Sequence, residues 1–148
     1  MTLFDTSVLI DARDASSPWH QWAKDQIAEA VAGEGACANT VVVSEASVRA
    51  TEPDKVPRLL EQMGITLVAL PISAAVPAAK AFALYLERLK AEGKKTESKV
   101  PLPDFLIGAH AQGEGLKLAT RDPKRIATYF PKVSLVTPPP TPASQGTG

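Results

Sequence analysis

The chain has 148 residues and a mass of 15.6 kDa, which suits one domain with a single hydrophobic core. Apolar residues make up 45% of it and charged residues 22%, as in ordinary globular proteins, and sixteen basic residues balance sixteen acidic ones. The balance excludes the strong overall positive charge that many nucleic-acid-binding proteins carry. A cluster of acids at one site could still offset a basic surface around it in the net charge.

Short apolar strands and helical patterns alternate along the first half of the chain. The segment Thr2 to Thr6 predicts a strand, and a helical pattern follows from Val8. Ser17 and Pro18 predict the N-cap and first position of a second helix. Residues 36–39 predict a buried strand. The second half of VVVSEASVRA predicts a helix, because its apolar residues do not alternate as they would in a strand.

The same alternation continues through the second half. Asp54 predicts the cap of a helix that runs to Met63, and ITLVAL predicts the next strand. The strongest helical pattern covers residues 73–92, where large apolar side chains recur on one face. Helices are also predicted at 101–113 and 123–129, with LKLAT as a strand between them and VSLV as a last strand. Strands alternating with helices predict an α/β fold with a mostly parallel central sheet covered on both faces.

The domain is predicted to span residues 1–136. Residues 137–148, TPPPTPASQGTG, are rich in Pro, Gly, Ser and Thr and have no apolar periodicity. Such a composition predicts a flexible tail outside the core.

Four acidic residues lie where a strand or a proline-marked break meets a helix, and they are Asp5, Glu45, Asp104 and Asp122. In an alternating α/β chain these junctions meet at one edge of the parallel sheet, so the four carboxylates are predicted to lie close together. Their mutual repulsion is relieved by a hard cation such as Mg²⁺ or Mn²⁺. The pattern therefore favours the chemistry of a metal-dependent phosphodiesterase.

Each acid also has a structural interpretation. Asp5 suits the cap of the following helix as well as it suits a metal ligand, and Asp104 suits a first helical turn, where the helix dipole stabilises it. Asp122 precedes a proline, which is the expected N-cap pair. Glu45 is harder to explain by capping, because Glu is not a favoured cap.

Together with their flanking residues, the acids resemble those of the PIN-domain nucleases, and within them the VapC-type toxins of toxin–antitoxin pairs. The resemblance rests on DTSVLID, SEASVR, PDFLIGAHA and LATRDPKRIATYFP, which match the family's order and spacing over residues 1–136. It implies a three-layer α/β/α fold and endonucleolytic cleavage of RNA with one or two Mg²⁺ or Mn²⁺ ions. The residues that it assigns to catalysis and metal binding are Asp5, Glu45, Asp104 and Asp122.

The resemblance also implies supporting residues and partners. Thr120 matches the family's small hydroxyl residue, while Thr6 and Ser7 lie where a side chain could bond a carboxylate or a ligated water, or cap the helix. Many relatives have Asn in place of Ser7. The implied partners are a VapB-type antitoxin that places an Arg in the acidic cluster, a second copy of the chain, and an RNA substrate such as tRNA or rRNA.

A basic rim is expected to hold the RNA backbone around the acidic centre. The candidates are Arg13, Arg49, Arg88, Lys94, Lys95, Lys99, Lys124 and Arg125. Arg49, one helical turn beyond Glu45, and the segment from Lys94 to Lys99 are favoured among them. The alternative is that these are ordinary solvated surface charges.

Two other classes of protein fit parts of the pattern. A Mg²⁺-dependent phosphotransfer or receiver-like domain would also place aspartates at strand ends, but DTS lacks the DxD spacing expected there. A non-catalytic RNA- or protein-binding module would use the acids only as helix caps.

The compartment is predicted to be the cytoplasm. Cys37, the single cysteine, cannot form an internal disulfide and is expected to be a small buried residue. Asp5 and Asp11 interrupt the first apolar stretch, so no secretory signal is predicted, and no apolar run approaches the ~20 residues that span a bilayer.

Overall fold

A computed structural model of the chain describes residues 1–94 and 101–140. Its strands are β1 (Thr2–Phe4), β2 (Ala36–Asn39), β3 (Ile65–Val68), β4 (Lys117–Ala119) and β5 (Leu135–Val136). Its helices are α1 (Thr6–Arg13), α2 (His20–Ala32), α3 (Thr40–Val48), α4 (Val56–Gln62), α5 (Ala75–Ala91), α6 (Leu102–Glu114) and α7 (Pro123–Tyr129). Single 3₁₀ turns at Pro53–Lys55 and Ile72–Ala74 precede α4 and α5.

The five strands form one parallel sheet in the order β3-β2-β1-β4-β5. Helices cover both faces, so the chain has the predicted three-layer α/β/α architecture. The central strand β1 is deeply buried, because Leu3 and Phe4 have no exposed surface. Cys37, on the adjacent β2, is also fully buried, as predicted.

An aromatic cluster joins α5, α6 and α7 on one side of the sheet. Phe82 and Tyr85 from α5 contact Phe105 from α6, with ring centroids 5.4 and 5.5 Å apart. Phe105 also lies 5.3 Å from Tyr129 and 6.2 Å from Phe130, at the end of α7. The apolar face predicted for α5 is therefore confirmed, and it anchors the two helices that carry the late acidic residues.

Three predicted helix starts are wrong. Helix α1 begins at Thr6 rather than Val8, because the Asp5 side chain caps it. Helix α2 begins at His20 rather than Pro18: the Ser17 hydroxyl donates to Asp11 and accepts from the Trp19 N–H, and this closes a separate turn. Asp54 lies inside a 3₁₀ turn and does not cap α4.

Residues 137–140 follow β5 without regular secondary structure, and residues 141–148 lie outside the described part of the chain. The predicted domain limit at 136 and the flexible tail therefore stay predictions. Within the described residues, no helix combines the length and apolar character that crossing a bilayer requires.

Candidate active site

The four predicted acids line one cleft at the carboxyl edge of the sheet. Asp5 follows β1, Glu45 lies on α3, Asp104 lies in the first turn of α6, and Asp122 immediately precedes α7. The cleft has a volume of about 270 Å³, and Thr6, Ser7, Arg49, Arg121 and Arg125 also line it. We call this site the acidic cleft.

Asp5 is the most deeply placed of the four, and two donors hold its carboxylate. The Thr6 N–H donates to Asp5 Oδ1 at 2.7 Å, which is the N-cap bond of α1. The Thr120 hydroxyl donates to Asp5 Oδ2 at 2.9 Å and accepts from the Asp122 N–H at 3.1 Å. Thr120 thus ties the junction after β1 to the junction after β4, and capping does not exclude a second role for Asp5.

The environment of Asp5 disfavours its negative charge. Burial is the largest influence and raises the pKa of Asp5 to about 6 from its ordinary value of 3.8. The hydrogen bonds from Thr120 and Thr6 act in the opposite direction, while the charges of Asp104 and Glu45 raise the pKa further. The cleft therefore brings three of the carboxylates close enough to repel one another.

Glu45 is oriented by the same loop that caps α1. The Thr6 hydroxyl donates to Glu45 Oε1 at 2.8 Å, across 39 residues of sequence. Glu45 sits inside α3, which Asn39 caps by accepting from the Val42 N–H at 3.0 Å. Glu45 therefore has no capping role, and its carboxylate faces the other acids.

Asp104 is held by a cation of the same chain. Arg125 Nη1 on α7 donates to Asp104 Oδ2 at 2.7 Å, and the guanidinium lies 5.1 Å from the centre of the Tyr85 ring. Asp122 occupies the N-cap position of α7, as predicted, but its side chain makes no cap hydrogen bond. Its carboxylate is exposed at the rim of the cleft.

One supporting group was not predicted. Asp11 on α1 is buried, and its Oδ2 lies 2.6 Å from Arg121 Nε in an ion pair rather than an aligned hydrogen bond. The Arg121 guanidinium also lies 4.7 Å from the centre of the Trp19 ring. These contacts hold the loop between Thr120 and Asp122 against α1. The sequence feature that could have indicated this ion pair is Asp11 itself, because it is an acid at a position of α1 that faces the core.

The predicted basic residues are placed only in part. Arg49 lines the acidic cleft, and Lys94 lines a neighbouring groove. Lys95 and Lys99 lie outside the described residues.

The carboxylates of the acidic cleft are suitable ligands for a hard cation, although they do not converge on a common point. Carboxylate oxygens are the ligands that Mg²⁺ and Mn²⁺ prefer, and a cation would favour the charged form of Asp5, which burial and the charges of Asp104 and Glu45 disfavour. The Ser7 hydroxyl is buried at the cleft without a hydrogen-bond partner among the described residues. In that same part of the chain, no three His, Cys, Asp or Glu side chains converge closely enough to hold a metal. The residues present therefore fit a cation by chemistry, and binding would require them to draw together.

The chain is similar to several solved toxin–antitoxin structures. One is VapBC2 from Rickettsia felis bound to a DNA fragment from their promoter, with a TM-score of 0.61, 12% identity, and coverage of 93% of this chain and 98% of that one. A toxin–antitoxin complex from Klebsiella pneumoniae has a TM-score of 0.56 and 23% identity, covering 96% and 98%. FitAcB from Neisseria gonorrhoeae has a TM-score of 0.54 and 21% identity over the same shares. At these identities the likeness shows the fold.

A comparison with curated proteins finds no match. The model of one protein family, described as the PIN domain, matches residues 2–131. The match covers most of the chain and spans all four junctions that line the acidic cleft. This chain belongs to the PIN-domain family.

Proposed function

We propose that the protein is a Mg²⁺- or Mn²⁺-dependent endoribonuclease and the toxin of a toxin–antitoxin pair. The observation that carries the proposal is that Asp5, Glu45, Asp104 and Asp122 line one cleft, where burial and the charges of Asp104 and Glu45 raise the pKa of Asp5. Repelling carboxylates on a buried floor lower the stability of the fold, and such an arrangement is common at functional sites. Membership of the PIN family supports a nuclease.

Asp5, Glu45, Asp104 and Asp122 would hold one or two ions. When bound, these ions would neutralise the scissile phosphate and supply a nucleophilic water at neutral pH. The chain's own groups would perform the supporting steps. Thr6 and Thr120 would keep the carboxylates of Glu45 and Asp5 oriented through their present hydrogen bonds. Ser7, with its unpartnered hydroxyl, would bond a water or a phosphate oxygen.

Arg125 would act as a partner of the phosphate. Its guanidinium holds Asp104 in the absence of other ligands, so cation binding at Asp104 would release it at the mouth of the cleft. A guanidinium pairs with phosphate through two parallel hydrogen bonds, which suits a nuclease.

The same ion pair supports an antitoxin partner. Asp104 pairs with a guanidinium of its own chain, and by the same chemistry an antitoxin of the VapB type would place its own Arg against the carboxylates of the acidic cleft. Several structural neighbours are VapBC or FitAB complexes, some with DNA. A homodimeric toxin, a cytoplasmic location and a tRNA or rRNA substrate are part of this proposal.

The decisive experiment compares RNA cleavage by the wild type and by Asp5→Asn, with Mg²⁺ or Mn²⁺ and after chelation with EDTA. We expect Asp5→Asn to lower the cleavage rate by more than roughly 100-fold, because it removes a ligand charge while keeping the shape. Asp25→Asn on α2 is the matched control, since Asp25 is exposed and bonds only Gln21 in the described structure. Equal activity in the wild type and Asp5→Asn would exclude the acidic cleft as the active site. RNA binding without cleavage by the wild type would favour a non-catalytic module.

A further inference from the structure

A second groove opens from the acidic cleft on the side of α5 and α7. It has a volume of about 390 Å³ and shares Asp122 and Arg125 with the cleft. Tyr85 and Tyr129 lie in its wall. We call it the α5–α7 groove, and its shared residues make it continuous with the acidic cleft.

The α5–α7 groove is rich in positive charge, although the chain as a whole has none in excess. Four basic side chains line it, which are those of Arg88, Lys94, Lys124 and Arg125. Among the described residues of the lining, the opposing acids are Glu92 and Asp122. Positive charge beside the acidic cleft would bind the phosphates of a polyanion. Another phosphate of the same molecule could then lie among the carboxylates.

The basic side chains of the groove are accessible to an incoming phosphate. Glu92 serves both Arg88 Nε and Lys94 Nζ at 3.3 Å, so one carboxylate is shared between two cations. The side chains of Arg88 and Lys94 are 61% and 67% exposed. Both ion pairs are exposed and screened by solvent, so a phosphate replaces them at little cost. Hydrogen bonding to the side chains of Tyr129 and Glu92 raises the pKa of the Arg88 guanidinium.

The groove on the opposite side of the acidic cleft has a different character. It shares Ile10 and Arg49 with the cleft, and aliphatic residues of α1 and α4 form much of its lining, including Leu9, Val56 and Leu60. Among the described residues its lining has three basic side chains, Arg13, Arg49 and Lys55, against two acids, so it carries a smaller excess of positive charge than the α5–α7 groove. We therefore expect a polyanion to extend from the acidic cleft along the α5–α7 groove.

We propose that the α5–α7 groove binds the sugar–phosphate backbone of single-stranded RNA next to the cleavage point, with Arg88 and Lys124 as phosphate contacts. The inference rests on the proposed nuclease function and adds the route of the substrate. Asp5 is recessed in the acidic cleft and only partly exposed, and an unpaired backbone bends into such a recess more readily than a duplex does.

The test measures the affinity for a labelled single-stranded RNA by fluorescence anisotropy over a range of NaCl concentrations. All proteins carry Asp5→Asn so that the RNA stays intact. The groove variant is Arg88→Gln/Lys124→Gln, which removes two charges and leaves a polar side chain at each position. Its matched control is Lys24→Gln/Lys80→Gln, which removes two exposed charges from residues that line neither groove. Thermal melts of both variants report whether the fold is retained.

We expect the groove variant to bind all sequences more weakly and to flatten the plot of log K against log salt. Each lost phosphate contact on a single strand lowers the slope by about 0.7, so two contacts lower it by about 1.4. The control variant should keep the parental slope. With Asp5 intact, the groove variant should lower kcat/KM for RNA cleavage more than kcat.

The outcomes separate this inference from the proposed function. If the wild type cleaves RNA and the groove and control variants share one slope, the groove assignment is overturned and the nuclease stands. If the slope falls as expected but the wild type never cleaves, the groove stands and the nuclease does not. An unchanged RNA affinity, together with loss of binding to an acidic peptide in the groove variant alone, would reassign the groove to a protein partner and overturn the inference.

Discussion

The environment of Asp5 both favours and disfavours the negative charge of its side chain. Its two hydrogen bonds, from the Thr6 N–H and the Thr120 hydroxyl, favour the carboxylate, whereas burial and the charges of Asp104 and Glu45 disfavour it. The unfavourable influences are larger, because the pKa of Asp5 rises to about 6. At neutral pH without metal, the folded chain therefore holds a carboxylate that would be more stable in water.

The first prediction concerns pH. Since the folded chain binds the Asp5 proton more tightly than the unfolded chain, the stabilising effect of this carboxyl is complete below its unfolded pKa of 3.8 and is lost as the pH rises through about 6. Asp5→Asn does not titrate. The free energy of unfolding of Asp5→Asn, relative to the wild type, should therefore increase by about 2–3 kcal/mol between pH 4 and pH 7.5.

Urea unfolding in EDTA at several pH values measures that difference. Asp25→Asn, on the exposed surface of α2, should show no comparable dependence on pH. A difference between Asp5→Asn and the wild type that stays constant from pH 4 to pH 7.5 would show that Asp5 is not forced into an unfavourable environment.

At the scale of elements, the site depends on how closely α6 approaches α7. A Cβ built on Gly108 of α6 would lie 2.5 Å from Phe130 Cδ2 and 3.1 Å from Ile126 Cδ1. Glycine is thus required here for close packing rather than for its backbone angles, since its φ is not positive. This contact sets the distance between Asp104 on α6 and Arg125 on α7, which form an ion pair at 2.7 Å.

The second prediction compares two glycines of the same helix. Gly108→Ala should destabilise the protein by about 1–3 kcal/mol, because Phe130 has to move to accept the methyl group. Gly113→Ala should stabilise it by up to about 1 kcal/mol, because nothing lies within 4 Å of its Cβ and alanine favours a helix. Chemical denaturation of both variants tests the contrast. Equal effects of the two substitutions would mean that α6 and α7 do not pack as closely as described.

The junctions between elements were predictable from the sequence, but the contacts made across them were not. Asp5, Glu45, Asp104 and Asp122 could be predicted to meet because the ends of parallel strands share one edge of a sheet. The pairing of Arg125 with Asp104 depends on the side-chain geometry of two packed helices, which no local pattern records. Ser17 illustrates the same limit. Its hydroxyl is engaged by Asp11, which moved the start of α2 away from the expected cap.

At the scale of the whole molecule, the acidic cleft links metal binding to the stability of the fold. Residues from both halves of the chain line the cleft. A cation that draws the carboxylates together would therefore stabilise contacts between distant segments at the edge of the sheet. A ligand that binds only the folded chain stabilises it by RT ln(1 + [L]/Kd), which is about 2.7 kcal/mol at 100 times Kd. For a domain of this size, that free energy raises Tm by roughly 5–10 °C.

The third prediction follows from combining this linkage with the state of Asp5. At pH 7.5 in EDTA, Asp5→Asn should melt at a higher temperature than the wild type, because it lacks the buried charge. Saturating Mn²⁺ should raise the Tm of the wild type by roughly 5–10 °C and that of Asp5→Asn by much less, so the gap between the two proteins should close. Thermal melts with matched NaCl in place of Mn²⁺ control for ionic strength. The cleft would not be a metal site if both proteins responded equally, since the charge of Asp5 would then have no part in holding the ion.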